Sequence, residues 1–268
     1  MKDILRQVVV IATFVLTLVL NGLASSGTLG GLSIGDISDL FNIYFVPASL
    51  TFAIWGVIYF GLGAFVVYHT LPSQRENPYM RRIGWLFVIS NIANTAWILL
   101  FQSLMFVVSV FAMFALLATL IAIYLRLDIG KPVSRVTYWL IQVPFSIYMA
   151  WITIAAIANV SQALFANGYE SLFGISGDIW AIIMLVIGTG IISAVIYLGR
   201  NVAYALTAVW ALAGIVIAQY TPANCVGPVA IGAIIVVLGI MGFSLWEARK
   251  SEPDLPTNDT SSMATAAR

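Results

Sequence analysis

Residues 104–125 read Leu-Met-Phe-Val-Val-Ser-Val-Phe-Ala-Met-Phe-Ala-Leu-Leu-Ala-Thr-Leu-Ile-Ala-Ile-Tyr-Leu, with no charged side chain among them. An uncharged run longer than roughly 18 residues is the length that crosses the hydrocarbon core of a bilayer as a helix. Comparable runs recur at about 5–25, 49–69, 83–102, 137–164, 179–199, 202–220 and 226–246, which makes eight candidate spans. Helices are the expected spanning element, because lipid offers the backbone no hydrogen-bond partners and none of these runs alternates as a barrel strand does. The sequence therefore predicts an all-α, polytopic membrane bundle.

Composition agrees. The 268-residue chain is 61% hydrophobic and 9% charged, against roughly 25% charged in a soluble domain. A soluble enzyme and a disordered chain are excluded. So is a nucleic-acid binder, since the net charge is +1 and no basic patch stands out. A single cysteine, Cys225, and a single histidine, His69, exclude a disulfide framework and any metal site built from several such ligands.

Charge sets the orientation. With eight spans and a cytoplasmic N-terminus, every basic residue falls on the inner side: Lys2 and Arg6; Arg75, Arg81 and Arg82; Arg126, Lys131 and Arg135; Arg200; and Arg249, Lys250 and Arg268. The outer loops carry only acids, Asp36, Asp39, Glu170 and Asp178, of which Glu170 and Asp178 are expected to be solvated. This positive-inside bias predicts N-in/C-in topology. The first apolar stretch, Val8 to Ala24, is longer than the 7–15 residues of a signal-peptide core and is expected to be retained. The polar tail of residues 248–268 is expected to be disordered.

No Asp, Glu or Lys stands within the apolar interiors of these runs, and Arg6 lies at the inner margin of the first. This argues against a proton pump, a voltage sensor or a Schiff-base pigment, and it leaves no acid–base pair or activated nucleophile. His69 reads as an interfacial histidine. The interior instead carries rings and amides at helical spacing. Phe52, Trp55 and Tyr59 share one face of the second span; Asn91, Asn94, Trp97 and Phe101 form a stripe on the third; Tyr148, Trp151, Ala155 and Asn159 follow on the fifth. Interfacial aromatic belts and interhelical amide bonds account for any one of these residues. A cluster drawn from three helices also has the makings of an apolar pocket with a few polar anchors, and both readings stay open at this point.

Gly188 and Gly190 in the sixth span, and Gly232, Gly239 and Gly242 in the eighth, read as close-packing faces, within the chain or between copies in a homo-oligomer. Asn201, Tyr204 and Trp210 in the seventh span are the exception: packing is the favoured reading, with lining of a cavity the alternative. The first outer loop, 26–48, combines glycines with Phe41, Tyr44, Phe45 and Pro47, a composition suited to a lid over the outer mouth of the bundle.

These residues carry a family resemblance. Pro47, then Phe52-Ala53-Ile54-Trp55-Gly56-Val57-Ile58-Tyr59 and Gly63, resembles the second-helix signature of the TspO/MBR family, the translocator or tryptophan-rich sensory proteins. Asn94-Thr95-Ala96-Trp97 with Phe101 resembles its third-helix motif. Tyr148-x-x-Trp151-x-x-x-Ala155-x-x-x-Asn159 resembles the fifth. Where family members usually carry a proline directly before that tyrosine, this chain has Ile147, with Pro144 one turn earlier.

The resemblance implies a five-helix ligand-binding core over residues 1–165, three additional helices over 166–247 as in the longer bacterial relatives, and residence in a bacterial plasma membrane. It further implies a cavity, walled by Pro47 and the three stripes, for a hydrophobic planar ligand. A porphyrin, haem or sterol-like lipid is the expected partner, and no cofactor is obligatory. Transport or stress sensing without enzymatic activity is the leading expectation. The alternatives are a membrane enzyme that modifies tetrapyrroles and a channel or carrier for a small neutral solute.

Overall fold

The computed structural model describes residues 2–169, 171, 174–222 and 224–250. Of the tail expected to be disordered, residues 248–250 instead continue the last helix, while 251–268 lie outside the described residues, as does Glu170, expected to be solvated.

Among the described residues, eight helices are long and apolar enough to cross a membrane: α1 (Lys2–Ser25), α2 (Ser49–Thr70), α3 (Pro78–Gln102), α4 (Phe106–Arg126), α5 (Arg135–Ala166), α6 (Gly177–Gly199), α7 (Val202–Gln219) and α8 (Val226–Lys250). Several extend past their apolar runs because polar residues cap them in water. Asn77, for example, accepts from the Tyr79 N–H while Pro78 fills the first helical position, where a missing N–H costs least.

Helix α5 is the axis of the bundle and the most buried span. It packs against α2, α4, α6 and α7, while α1 lies along α3, and α8 closes the far side against α6 and α7. Its first turns are not regular. The Val143 N–H reaches back five residues to the Tyr138 carbonyl, giving a π-helical turn over Tyr138–Gln142. Pro144 follows at once; it supplies no N–H to the preceding turn and its ring crowds the carbonyl four residues earlier, so the wider turn relieves the clash. The same ring fits α2 at Gly61, where any Cβ would lie 3.3 Å from Pro144.

At the basic end a polar clasp fixes α1. Asp3 pairs with Arg6 at 2.6 Å and Arg81 at 2.8 Å, Arg6 also donates to the Arg75 carbonyl, and Gln7 donates to the carbonyls of His69 and Leu71. Gly84 makes room for Arg6, since a Cβ there would stand 2.5 Å from its Cδ. This packing corrects the interfacial reading of His69. The imidazole is fully buried against Phe65, and neither ring nitrogen has a hydrogen-bond partner, because α1 covers the end of α2. The glycine faces divide. Gly188 packs against Ile157 of α5, but Gly190, Gly232, Gly239 and Gly242 face outward with no other side chain or chain segment within 4 Å.

The loop between α1 and α2 folds over the acidic end of the bundle. A short helix, Ile34–Ser38, opens with a capping box in which Ser33 and Asp36 satisfy one another's backbone N–H. Ile34, Ile37, Phe45 and Val46 are buried beneath it. Two bonds tie the loop and its stem to other helices: Gln162 of α5 donates to the Ile37 carbonyl at 3.0 Å, and the Ala48 N–H donates to the Gly214 carbonyl of α7 at 3.0 Å.

Candidate functional site

The three stripes converge. Trp55 of α2 sits at the hub, its ring 5.4 Å from Tyr59, 6.1 Å from Trp97 of α3, and 6.0 and 6.3 Å from Tyr148 and Trp151 of α5. Phe52 meets Trp151 edge-on at 5.6 Å, and Phe101 stacks outward from Trp97 toward Phe106 of α4. These offset and edge-to-face geometries are the ones aromatic quadrupoles favour.

A small void lies among the rings, of about 30 Å³. Of the residues expected at the site, Pro47, Phe52, Trp55, Trp97, Phe101, Trp151, Ala155 and Asn159 line it. Tyr59, Asn94 and Tyr148 lie beneath it. Ser38 and Val46 from the loop, with Ile154, Ala158 and Gln162 from α5, complete the wall and were not singled out by the sequence. A void of this size holds about two waters, so the rings fill most of their own chamber.

Asn91 departs from the expectation. It donates to the Thr13 hydroxyl at 3.2 Å, and its carbonyl accepts from Thr17, so it joins α3 to α1 rather than facing the rings. Three residues advance a helix by about 300°, not a full turn, and the 60° lag at Asn91 brings it under α1.

The remaining amides are committed to one another. Asn94 donates to the Tyr148 hydroxyl at 2.8 Å and accepts from Asn21 of α1 at 2.7 Å. Asn159 accepts from the Trp97 indole at 3.2 Å and donates to Ser109 of α4 at 3.0 Å. Asn21 and Ser109 carry no spacing signal beyond being polar residues in apolar runs, which is the only clue the sequence offered. Two buried indole N–H groups, on Trp55 and Trp151, have no acceptor among the described residues, and the Tyr59 hydroxyl lies beside Asn94 without a hydrogen bond of normal geometry.

A second, larger space was not anticipated. A groove of about 840 Å³ runs between α4 and α6 across the face of α5, lined by Phe114, Leu117, Ile121, Ala156, Ala181, Met184, Val195 and Tyr204 among others. Exposed Phe114, Ile121, Ile191 and Leu198 along its rims show that it opens on the outside of the bundle. Nothing in a one-dimensional apolar run reveals that two helices stand apart. Asn201, Tyr204 and Trp210 of α7 serve as packing anchors: Asn201 bonds Ser146, Tyr204 bonds Thr153, and Trp210 donates to the Thr51 carbonyl at the base of the loop.

Among the described residues, no group of three or more His, Cys, Asp or Glu side chains is placed to hold a metal ion.

An eight-span helical bundle with a loop-covered chamber of rings on α2, α3 and α5 defines a multi-pass integral membrane protein of the translocator type. A family model described as TSPO-like protein matches residues 7–245, and the chain belongs to that family. No curated protein and no solved structure matches it.

Proposed function

We propose that the protein binds a hydrophobic planar ligand, a tetrapyrrole or sterol-like lipid, between the rings of α2, α3 and α5. The observation that carries this reading is the pair of acceptor-less indole N–H groups on Trp55 and Trp151, set in one ring cluster beside a void. A buried donor without a partner costs about 1–3 kcal/mol, and an aromatic ligand bearing a ring nitrogen, carbonyl or carboxylate would recover that cost while stacking on the indoles. Ligand sites run to about 300–1,000 Å³, so the chamber described here is a closed form and the ligand enters as the loop and rings separate.

The interior supports binding for transport or sensing over catalysis, since the rings and amides supply hydrogen bonds and stacking but no paired acid and base. The amides are tied to one another rather than arrayed along a path, which disfavours a pore for a neutral solute. Titration of the purified chain with protoporphyrin IX, followed by tryptophan emission, is the test. Saturable quenching that weakens at least tenfold in a folded Trp151→Ala variant supports the reading. Absence of saturation, or quenching indifferent to Trp151, refutes it; new absorbing products on illumination would favour the enzyme instead.

A further inference from the structure

At the basic end, the loop from α4 to α5 and the junction of α6 with α7 enclose a cup of about 330 Å³. Its cations are Lys131, Arg135 and Arg200. Lys131 is paired with Asp128 at 2.8 Å, and that pairing holds the Asp128 carboxyl below its usual range. Arg135 and Arg200 have no ion-pair partner among the described residues. At the wall lies Gln142, 4% exposed, whose Nε2 is buried and bonds nothing. Gln142 closes the π-helical turn, a feature frequent at functional sites, and the turn belongs to the cup's own wall. The neighbouring amide of Asn201 is already spent on Ser146. The cup thus offers two guanidiniums without ion-pair partners among the described residues, a set that recognises phosphate.

The cup adjoins the apolar groove between α4 and α6, and Ile129 and Gly199 belong to both. The two are pressed together there, since a Cβ on Gly130 (φ +106) would stand 2.5 Å from the Gly199 carbonyl oxygen. A soluble phosphate would occupy the cup and leave the groove empty. A phospholipid matches both.

We propose that this cup binds the phosphate of an anionic membrane phospholipid, with an acyl chain of the same molecule lying in the adjoining groove. The test is native mass spectrometry of the full chain, delipidated in detergent and titrated separately with phosphatidylglycerol and phosphatidylcholine. At about 1 kcal/mol per basic residue near an anionic headgroup, the double variant Arg135→Gln/Arg200→Gln should bind phosphatidylglycerol roughly thirtyfold more weakly with phosphatidylcholine unchanged. Val195→Trp, which fills the groove one turn from the cup, should weaken both lipids. Equal affinity for the two lipids in the wild type, or undiminished phosphatidylglycerol binding in the arginine double variant, overturns the proposal. Displacement of phosphatidylglycerol by millimolar inorganic phosphate, with Val195→Trp inert, assigns the cup to a soluble phosphate and overturns it too.

Discussion

The indole of Trp97 donates to the same Asn159 side-chain amide that, through its nitrogen, donates to Ser109, so one carboxamide joins α3, α4 and α5 at the rim of the chamber. Asn159→Leu would leave the Trp97 N–H and the Ser109 hydroxyl facing an apolar side chain. Each hydrogen bond of this kind in a membrane is worth about 0.6 kcal/mol on average, up to about 1.7. The variant should lose about 1–3 kcal/mol, read as a lowered midpoint of unfolding in mild detergent. Unchanged stability would mean that the amide is dispensable to the fold.

Gln162→Leu should loosen the loop without unfolding the bundle. The Gln162 amide holds the Ile37 carbonyl at 3.0 Å and is 2% exposed. Amides of residues 34–48 should exchange hydrogen about three- to tenfold faster in the variant, with α3 and α4 unaffected. Equal exchange in the two proteins would show that burial of Ile34 and Ile37 alone secures the loop.

Gly214→Ala should be costly. Its Cβ would meet the Thr51 hydroxyl, lie 2.8 Å from the Thr51 methyl and 2.9 Å from Pro47 Cβ. Overpacking of this kind costs about 1–3 kcal/mol. Adding Thr51→Ala should restore part of the loss and leave the Pro47 contribution. Thermal unfolding of the three variants checks this, and additive losses in the double variant would contradict it.

Two loop carboxylates titrate in opposite senses. Ser33, through its side chain and backbone N–H, holds Asp36 below the usual range, so Asp36 stabilises the loop above its ordinary pKa and that support is lost as pH falls through the lowered value. Burial raises Asp39, with Asp36 nearby adding to the effect. Protonated Asp39 therefore favours the docked loop, and its contribution is lost as pH rises through the raised value. Protection of loop amides, corrected for intrinsic exchange, should peak near about pH 4. Asp36→Asn should remove the fall on the acid side and Asp39→Asn the fall on the other; a flat profile in the wild type would contradict both.

The membrane spans were legible because burial in lipid demands long uncharged runs, and every expected limit agrees with the observed helix to within about five residues. The ring stripes were legible because rings and amides repeat at helical spacing within each span, as Phe52, Trp55 and Tyr59 do. Residues whose importance depends on the partner helix escaped notice: Asn21 and Ser109 matter only because α1 and α4 bring them to Asn94 and Asn159. Asn91 misled for the same reason, since its three-residue step leaves it 60° behind the rings, on the side of α3 that α1 occupies. The groove and the basic cup arise from the distance between helices, a quantity that periodicity does not encode.

The π-helical turn at Tyr138–Gln142 gives α5 a phase slip of about 100° relative to an unbroken α-helix. The segment bearing Tyr148, Trp151 and Asn159 is therefore set by one rotational register, and the segment bearing Arg135 and Tyr138 by another. A single inserted or deleted residue within that turn would rotate one half of the rod and leave the other in place. The two ends of the longest helix are thus free to diverge separately, one answering to what the rings enclose and the other to what meets the opposite face of the membrane.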